Sequence, residues 1–310
     1  MAGDESLRLS RIKANLEQRA FILDAIRDFF RSHLGFLEVE TPIRVPTVAP
    51  EKYIVPFDVE GWFLSTSPEL HMKRLIAAGH SKIFQICHCF RKNERGQLHN
   101  PEFTMLEWYR TGANYTQIIE DTEQLLLTLA RKINHRSTIV YQGNKINLTP
   151  PWPRITVREA FLRSANWDPF AHLDEERFEV DLIEKVIPGF NSRRPIVLLD
   201  YPVTMASLAR VRLGKPAVAE RAEVFIGGLE LANAYSELND ATEQERRFKQ
   251  EISNLKLDRN RRIVMPQRFL DALPKLPECG GIALGVDRLV MLFCDAVSIN
   301  EVVAFPHDVA

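Results

Sequence analysis

The stretch from Phe90 to Tyr109 constrains this chain most. It reads as two strands joined by a polar loop, and side chains of one parity on a strand share a face. In the first strand Gln85, Cys87, Cys89 and Arg91 look one way, and Phe84, Ile86 and Phe90 the other. Across the loop, Phe103, Met105, Glu107 and Tyr109 line one face of the second strand. Paired as a hairpin, these strands bring an arginine, an aromatic ring, an acid and a phenol to one cleft. Such a set suits an anionic phosphate, a flat base and a cationic amine.

Three further segments join the hairpin in order along the chain. Residues His33-Leu34-Gly35-Phe36-Leu37-Glu38-Val39-Glu40-Thr41-Pro42 precede it. Glu230-Leu231-Ala232-Asn233-Ala234-Tyr235-Ser236-Glu237-Leu238-Asn239-Asp240 and Gly280-Gly281-Ile282-Ala283-Leu284-Gly285-Val286-Asp287-Arg288-Leu289 follow it. Together these resemble motifs 1, 2 and 3 and the amino-acid signature of class II aminoacyl-tRNA synthetases. The words His99-Asn100-Pro101-Glu102-Phe103-Thr104-Met105 point to the lysyl branch. The match extends from about residue 10 to residue 306, and motifs in this order are far more specific than any one alone.

The resemblance implies an α+β fold, a mainly antiparallel sheet flanked by helices, over a single catalytic domain spanning 1–310. The order of elements is not the β-α-β alternation of a doubly wound sheet. The glycines of 280–285 form neither a P-loop nor a dinucleotide fingerprint. Residues 11–34 carry helical spacing that ends at Gly35, and in the resembled family this helix and the next strand form a dimer interface. Ser67-Pro68-Glu69 opens a helix reaching Ala78, and another covers 115–133. Residues 150–195, opened by prolines, read as a small helical insertion before the apolar strand Ile196–Leu199. The charge-dense segment Thr242 to Arg262 reads as a solvated helix and loop.

Activating a carboxylic acid with ATP requires in-line attack of a carboxylate oxygen on the α-phosphorus, which positioning and electrostatics can promote without a nucleophilic side chain. The resemblance gives Arg91 the α-phosphate and the carboxylate, Phe103 and Arg288 the two faces of adenine, Arg288 also the γ-phosphate, and His99 the phosphate tail. It gives Glu223 and Glu230 to Mg²⁺, a hard ion that takes carboxylate oxygens. Where the family motif has glutamate, this chain has Asn93, with Glu94 next; Asn93 could accept from the adenine amino group but lacks the charge. Glu69, Glu107, Tyr109, Asn233, Tyr235 and Glu237 match positions around a bound lysine. Glu237 is assigned the distal ammonium and Glu69 the amine nearer the carboxylate.

Two features favour one branch of this family, the short paralogues that ligate (R)-β-lysine to elongation factor P. Ala283 stands where lysyl-tRNA synthetases have a glycine, and its methyl would press on an α-amine. Only about ten residues precede the first motif's helix, too few for the anticodon-binding barrel, so no anticodon recognition is expected. With 40 basic and 41 acidic residues, the charge balance gives no support to a nucleic-acid partner. The expected reactants are therefore ATP, Mg²⁺, β-lysine and elongation factor P, with a homodimer as the assembly. A free-standing domain acting on tRNA or a small amine, and a silent synthetase-like regulator, stand as alternatives. Cys87, Cys89, Cys279 and Cys294 offer no metal spacing, and no signal segment or membrane span is evident. A reduced, cytoplasmic setting is expected.

Overall fold

A nine-stranded sheet carries the molecule. The computed structural model describes residues 2–214, 217–259 and 263–310. Read across the sheet, the strands are Leu37–Glu38, Lys82–Phe90, Glu102–Thr111, Cys279–Gly285, Leu229–Ser236, Val218–Ile226, Ile196–Pro202 and Arg154–Thr156, with Val211–Arg212 paired to Val218–Ile226. Only the first and last of these neighbours run parallel; the pairings between them are antiparallel. The α+β expectation holds.

The even-numbered face of the central hairpin packs on helices. Phe30 stacks on Phe84 at 4.9 Å and leans on Trp108 at 5.0 Å, and all three rings are fully buried. Removing apolar surface of this size from water is the main favourable contribution to folding. The Tyr115–Asn134 helix contributes Ile118, Leu125 and Leu129 to the same core. Asn114 caps that helix reciprocally with Gln117.

The helix expected over 11–34 runs as Lys13–Asp28 and ends in a π-helical turn, Phe29–His33, before Gly35 at φ 68°. A further helix, Ala2–Arg11, precedes it. The helix after Ser67 spans Glu69–Ala77, and Ser67 Oγ accepts from Glu69 N at 3.0 Å, a hydroxyl cap on its first turn.

Residues 150–195 differ from a purely helical insertion. The strand Arg154–Thr156 pairs with Val197–Leu199 and extends the sheet edge before the helices Val157–Ser164 and Glu175–Asp181 begin. The apolar strand lengthens to Ile196–Pro202. The charge-dense segment forms the helix Ala241–Arg259, and its last residues, 260–262, lie outside the described residues. Among the described residues, no helix is long and apolar enough to cross a membrane.

Candidate active site

The sheet face opposite the Phe30 core carries the polar residues in rows. Register pairs Gln85 with Glu107, Glu107 with Ala283, Ala283 with Asn233, and Asn233 with Glu223. The adjacent row pairs Ile83 with Tyr109, Tyr109 with Gly281, Gly281 with Tyr235, and Tyr235 with Arg221. Directly opposed residues share a face, so Glu107, Tyr109, Asn233, Tyr235, Glu223 and Ala283 form one floor. Glu237 follows at the strand's end and is tied there by its N–H to Cys279 O at 2.9 Å.

Glu230 reaches this floor by a different route. The register slips by one residue between Val224 and Phe225, so that Phe225 opposes Glu230. Strict alternation from Asn233 would send Glu230 to the back of the sheet. The bulge instead turns Leu229 and Leu231 into the core and Glu230 toward Glu223. Desolvation by the cleft walls, and then the Glu223 charge, push the Glu230 carboxyl above its usual range, even though 46% of its side chain meets solvent. Glu223 accepts from Arg221 Nη2 at 2.6 Å and from Asn233 Nδ2 at 3.3 Å. Two adjacent carboxylates on a polar floor form a hard-oxygen donor set that fits Mg²⁺, which commonly takes one or two carboxylates together with phosphate oxygens.

Arg91 and Arg288 stand at the other end. The Arg91 guanidinium lies 5.1 Å from the centroid of the Phe103 ring and donates to Glu94 Oε1 at 3.2 Å. Asn93 is exposed in the loop, so Glu94 supplies the acid that follows this arginine. Arg288 donates to Glu230 O at 2.7 Å, and its Nη2 lies 2.6 Å from His99 Nε2. Desolvation, then the charge of Arg288, hold the His99 pKa below its ordinary value, which suits a neutral ring accepting from the guanidinium. Asp287, beside Arg288, fixes the start of its helix: it accepts from Thr104 N at 2.9 Å and pairs with Arg19 at 2.6 Å.

The Glu69 and Glu237 end of the floor is lined by acids. Glu107, fully buried, accepts from Tyr109 OH at 2.5 Å and Ser67 Oγ at 2.9 Å. Burial, then the charge of Glu69, push its carboxyl up to about 8. Burial also holds Glu237 above the ordinary range, while Lys73 pulls it back. Buried polar atoms are normally paired, yet Glu237 Oε1 and Asn233 Oδ1 have no hydrogen-bond partner among the described residues. Both are acceptors available to ammonium donors. Gly281 makes the space: a Cβ there would meet Tyr109 Cε1 at 2.3 Å and Glu237 Oε1 at 2.5 Å.

Three residues outside the sequence assignments join this site. Lys73 pairs with both Glu69 and Glu237. Arg221 lies 4.5 Å from the Tyr201 ring centroid and on the row of Tyr235. Glu51, pushed up to about 7 by burial and then by Glu69, lies within reach of Arg91 and Arg221 charge. The Glu69-x-x-x-Lys73 spacing and the two-residue step from Arg221 to Glu223 were the available signals. Cys87 and Cys89 sit with their sulfurs 3.9 Å apart as free thiols.

The family described as "tRNA synthetases class II (D, K and N)" matches residues 5–309. A protein named lysine--tRNA ligase from Thermoanaerobacter pseudethanolicus (strain ATCC 33223 / 39E) is 37% identical over 322 residues, covering 95% of this chain and 64% of its own length. The chain therefore spans less than two thirds of that relative. A protein named elongation factor P--(R)-beta-lysine ligase from Salmonella gallinarum (strain 287/91 / NCTC 13346) is 37% identical, with 95% of each chain covered. One of the same name from Yersinia pestis (strain Pestoides F) is 37% identical with 100% of each covered.

Proposed function

This chain belongs to the class II tRNA synthetase family of the D, K and N group, and from that premise we propose that it is an ATP-dependent aminoacyl ligase: it activates (R)-β-lysine as an adenylate and transfers the β-lysyl group to a lysine side chain of elongation factor P. The observation that carries this reading is the shared floor itself. Arginines Arg91 and Arg288 stand at one end, and the acids Glu69, Glu107 and Glu237 at the other. A substrate with a carboxylate and two amines complements that polarity.

In the first step a carboxylate oxygen attacks the α-phosphorus of ATP and pyrophosphate leaves. Arg91, permanently charged, would hold the carboxylate and the α-phosphate together. Arg288 would cover the adenine held on Phe103 and meet the γ-phosphate, with His99 beside it. Glu223 and Glu230 would hold Mg²⁺, which when bound neutralises phosphate oxygens. Glu94, paired with Arg91, would supply the loop's negative charge that Asn93 lacks, with Asn93 left to accept from the adenine amino group. In the second step the acceptor amine attacks the acyl carbon, AMP leaves with the bonding pair, and the amine gives up a proton.

Asn233, Tyr235 and Tyr109 would frame the amino acid, with Glu237 on the distal ammonium and Glu69 on the nearer one. Ala283 lies in the row between Glu107 and Asn233, which supports a role in setting where the nearer amine sits. Relatives named elongation factor P--(R)-beta-lysine ligase match along 95% to 100% of both chains, which supports the protein acceptor. The equal identity to a lysine--tRNA ligase favours tRNA charging as the second reading. Exposed Leu37 and Ile43 near the first motif suit a homodimer, and a cytoplasmic setting fits a translation factor as substrate.

ATP–pyrophosphate exchange with β-lysine and α-lysine side by side tests the activation step. Labelled transfer to elongation factor P and to tRNA then tests the acceptor. Exchange with β-lysine and label on the factor are expected; label on tRNA alone favours the second reading, and no exchange with either isomer rejects both.

A further inference from the structure

Lys73 is a lysine in an unusual place. It lies on the Glu69–Ala77 helix with 1% of its surface exposed. Its Nζ donates to Glu69 Oε1 at 2.5 Å, contacts Glu237 Oε2, and stands 5.9 Å from the Tyr109 ring centroid. A buried ammonium is costly unless paired, and this one is paired with the two acids assigned to the substrate's amines. The groups facing it are Glu69 on its own helix, Glu107 and Tyr109 on the central strand, Glu237 and Cys279 beside the sheet's end, and Glu51 of the preceding loop.

Three carboxylates crowded into one dry pocket cannot all ionise; one would keep its proton and become a donor where an acceptor is needed. Lys73 changes that balance. With all three ionised, Glu69, Glu107 and Glu237 against one ammonium leave a deficit of two positive charges; in the unliganded site the proton that burial keeps on Glu107 covers part of it, and a second substrate ammonium would release that proton. A lysine isomer brings two ammonium groups, and once its carboxylate is joined to AMP as a mixed anhydride the amino-acid moiety has no negative charge of its own to offset them. On Glu237 the ion pair with Lys73 is made by Oε2, and buried Oε1, without a hydrogen-bond partner among the described residues, lies over Gly281.

We propose that Lys73 is a positioning and specificity-determining residue, which orients Glu69 and Glu237 as acceptors and sets the charge deficit of the ionised acids at two, so that the site selects amino acids carrying two ammonium groups. This inference rests on the proposed lysine-type substrate.

The experiment is pyrophosphate exchange with the full-length protein. Lysine-isomer dependence of the unaltered enzyme is read first, and its absence overturns both this inference and the proposed function. With that dependence present, Lys73→Met and Lys73→Gln should raise KM for β-lysine by about tenfold or more while KM for ATP changes by less than about twofold. The acid limb of kcat/KM for β-lysine should move to higher pH, because the neutral side chain no longer pulls the Glu237 and Glu107 carboxyls down. Lys73→Arg keeps the charge and should leave that limb in place. An unmoved limb in both neutral variants, or parallel rises in the two KM values, would overturn the proposal as a merely structural effect. The unaltered enzyme supplies an arm independent of folding. Putrescine, a dication, should compete with β-lysine at least about tenfold more tightly than butylamine; equal inhibition by the two amines would sink the charge-count argument even if no variant folds.

Discussion

Gly281 and Tyr109 oppose each other on adjacent strands so closely that a methyl on Gly281 would stand 2.3 Å from the phenol ring. The same methyl would meet Glu237 Oε1 at 2.5 Å. Neither neighbour can move freely, since Tyr109 is bonded to Glu107 and Glu237 to Lys73. Gly281→Ala should therefore lower kcat/KM for the amino acid by about a hundredfold, the scale of a one-ångström misplacement. ATP binding, read by nucleotide titration, should persist. A variant with ordinary amino-acid kinetics would show that this end of the floor is not the amino-acid site.

Glu237→Gln removes the counter-charge while keeping the shape. Binding of a lysine-type substrate should weaken by about 2–5 kcal/mol, the cost of leaving a buried ammonium without its partner. Lys73 would lose a partner too, so the comparison needs a thermal melt to show that the variant is folded. Amino-acid dependence of pyrophosphate exchange is the measurement, and an unaltered dependence removes Glu237 from the pocket.

Arg288 is held in place by Glu230 O, Leu98 O and the His99 ring. Its charge is aimed at the cleft, so Arg288→Ala should cost about a hundredfold to a thousandfold in exchange with any amino acid, the range for losing one electrostatic contact to a developing anion. Near-normal exchange in a folded variant would take the motif 3 arginine out of the phosphate site.

The raised carboxyl of Glu107 carries a stability consequence. Its proton is held up to about pH 8 in the folded chain, whereas an unfolded chain releases it in the ordinary carboxylate range. The native state therefore binds more protons through that window, and stability falls as pH rises through it. Thermal melts of the unliganded protein should drop between about pH 5 and about pH 8, and Glu107→Gln should flatten the slope. A diamine substrate should restore stability at the alkaline end by supplying the missing positive charge. An identical slope in the variant would locate the titrating group elsewhere.

Much of this site was legible because strands repeat with period two. Asn233, Tyr235 and Glu237 share a face by alternation, and Phe103, Glu107 and Tyr109 do so likewise. Glu230 was legible only through the motif, since its even number belongs to the opposite face until the bulge at Leu231 shifts it. Lys73 was hidden for another reason: in sequence it is a helical lysine next to Arg74, and lysines are rarely buried. Its burial arises when the Glu69–Ala77 helix packs over the Tyr109 end of the sheet. The Arg154–Thr156 strand was hidden by its length, three residues between prolines and a helix cap, which carries no period of its own. Asn93 looked like a loss of charge in the hairpin loop; the loop geometry turns Glu94 onto Arg91 instead.

Ala283 allows the sharpest test of substrate choice. It lies on the floor, paired to Glu107 on one side and Asn233 on the other, and is partly exposed there. A residue packed behind the sheet would have the opposite parity, with Ile282 and Leu284, which are buried in the core. Its methyl therefore stands among the polar groups that would frame the amino acid. In β-lysine the nearer amine is one carbon further from the carboxylate than in α-lysine, so a methyl at the carboxylate end should penalise the α-amine selectively. Ala283→Gly should raise activation of α-lysine relative to β-lysine by roughly tenfold or more, from a methyl-sized discrimination of about 1–3 kcal/mol. The ATP dependence should not move, because the residue's immediate cross-strand neighbours are Glu107 and Asn233, and not Arg91 or Phe103. Exchange measured with both isomers in one preparation decides the matter: an unaltered preference with a lowered melting temperature would mean that the methyl serves packing, and the selectivity would then have to lie in the acids around Lys73.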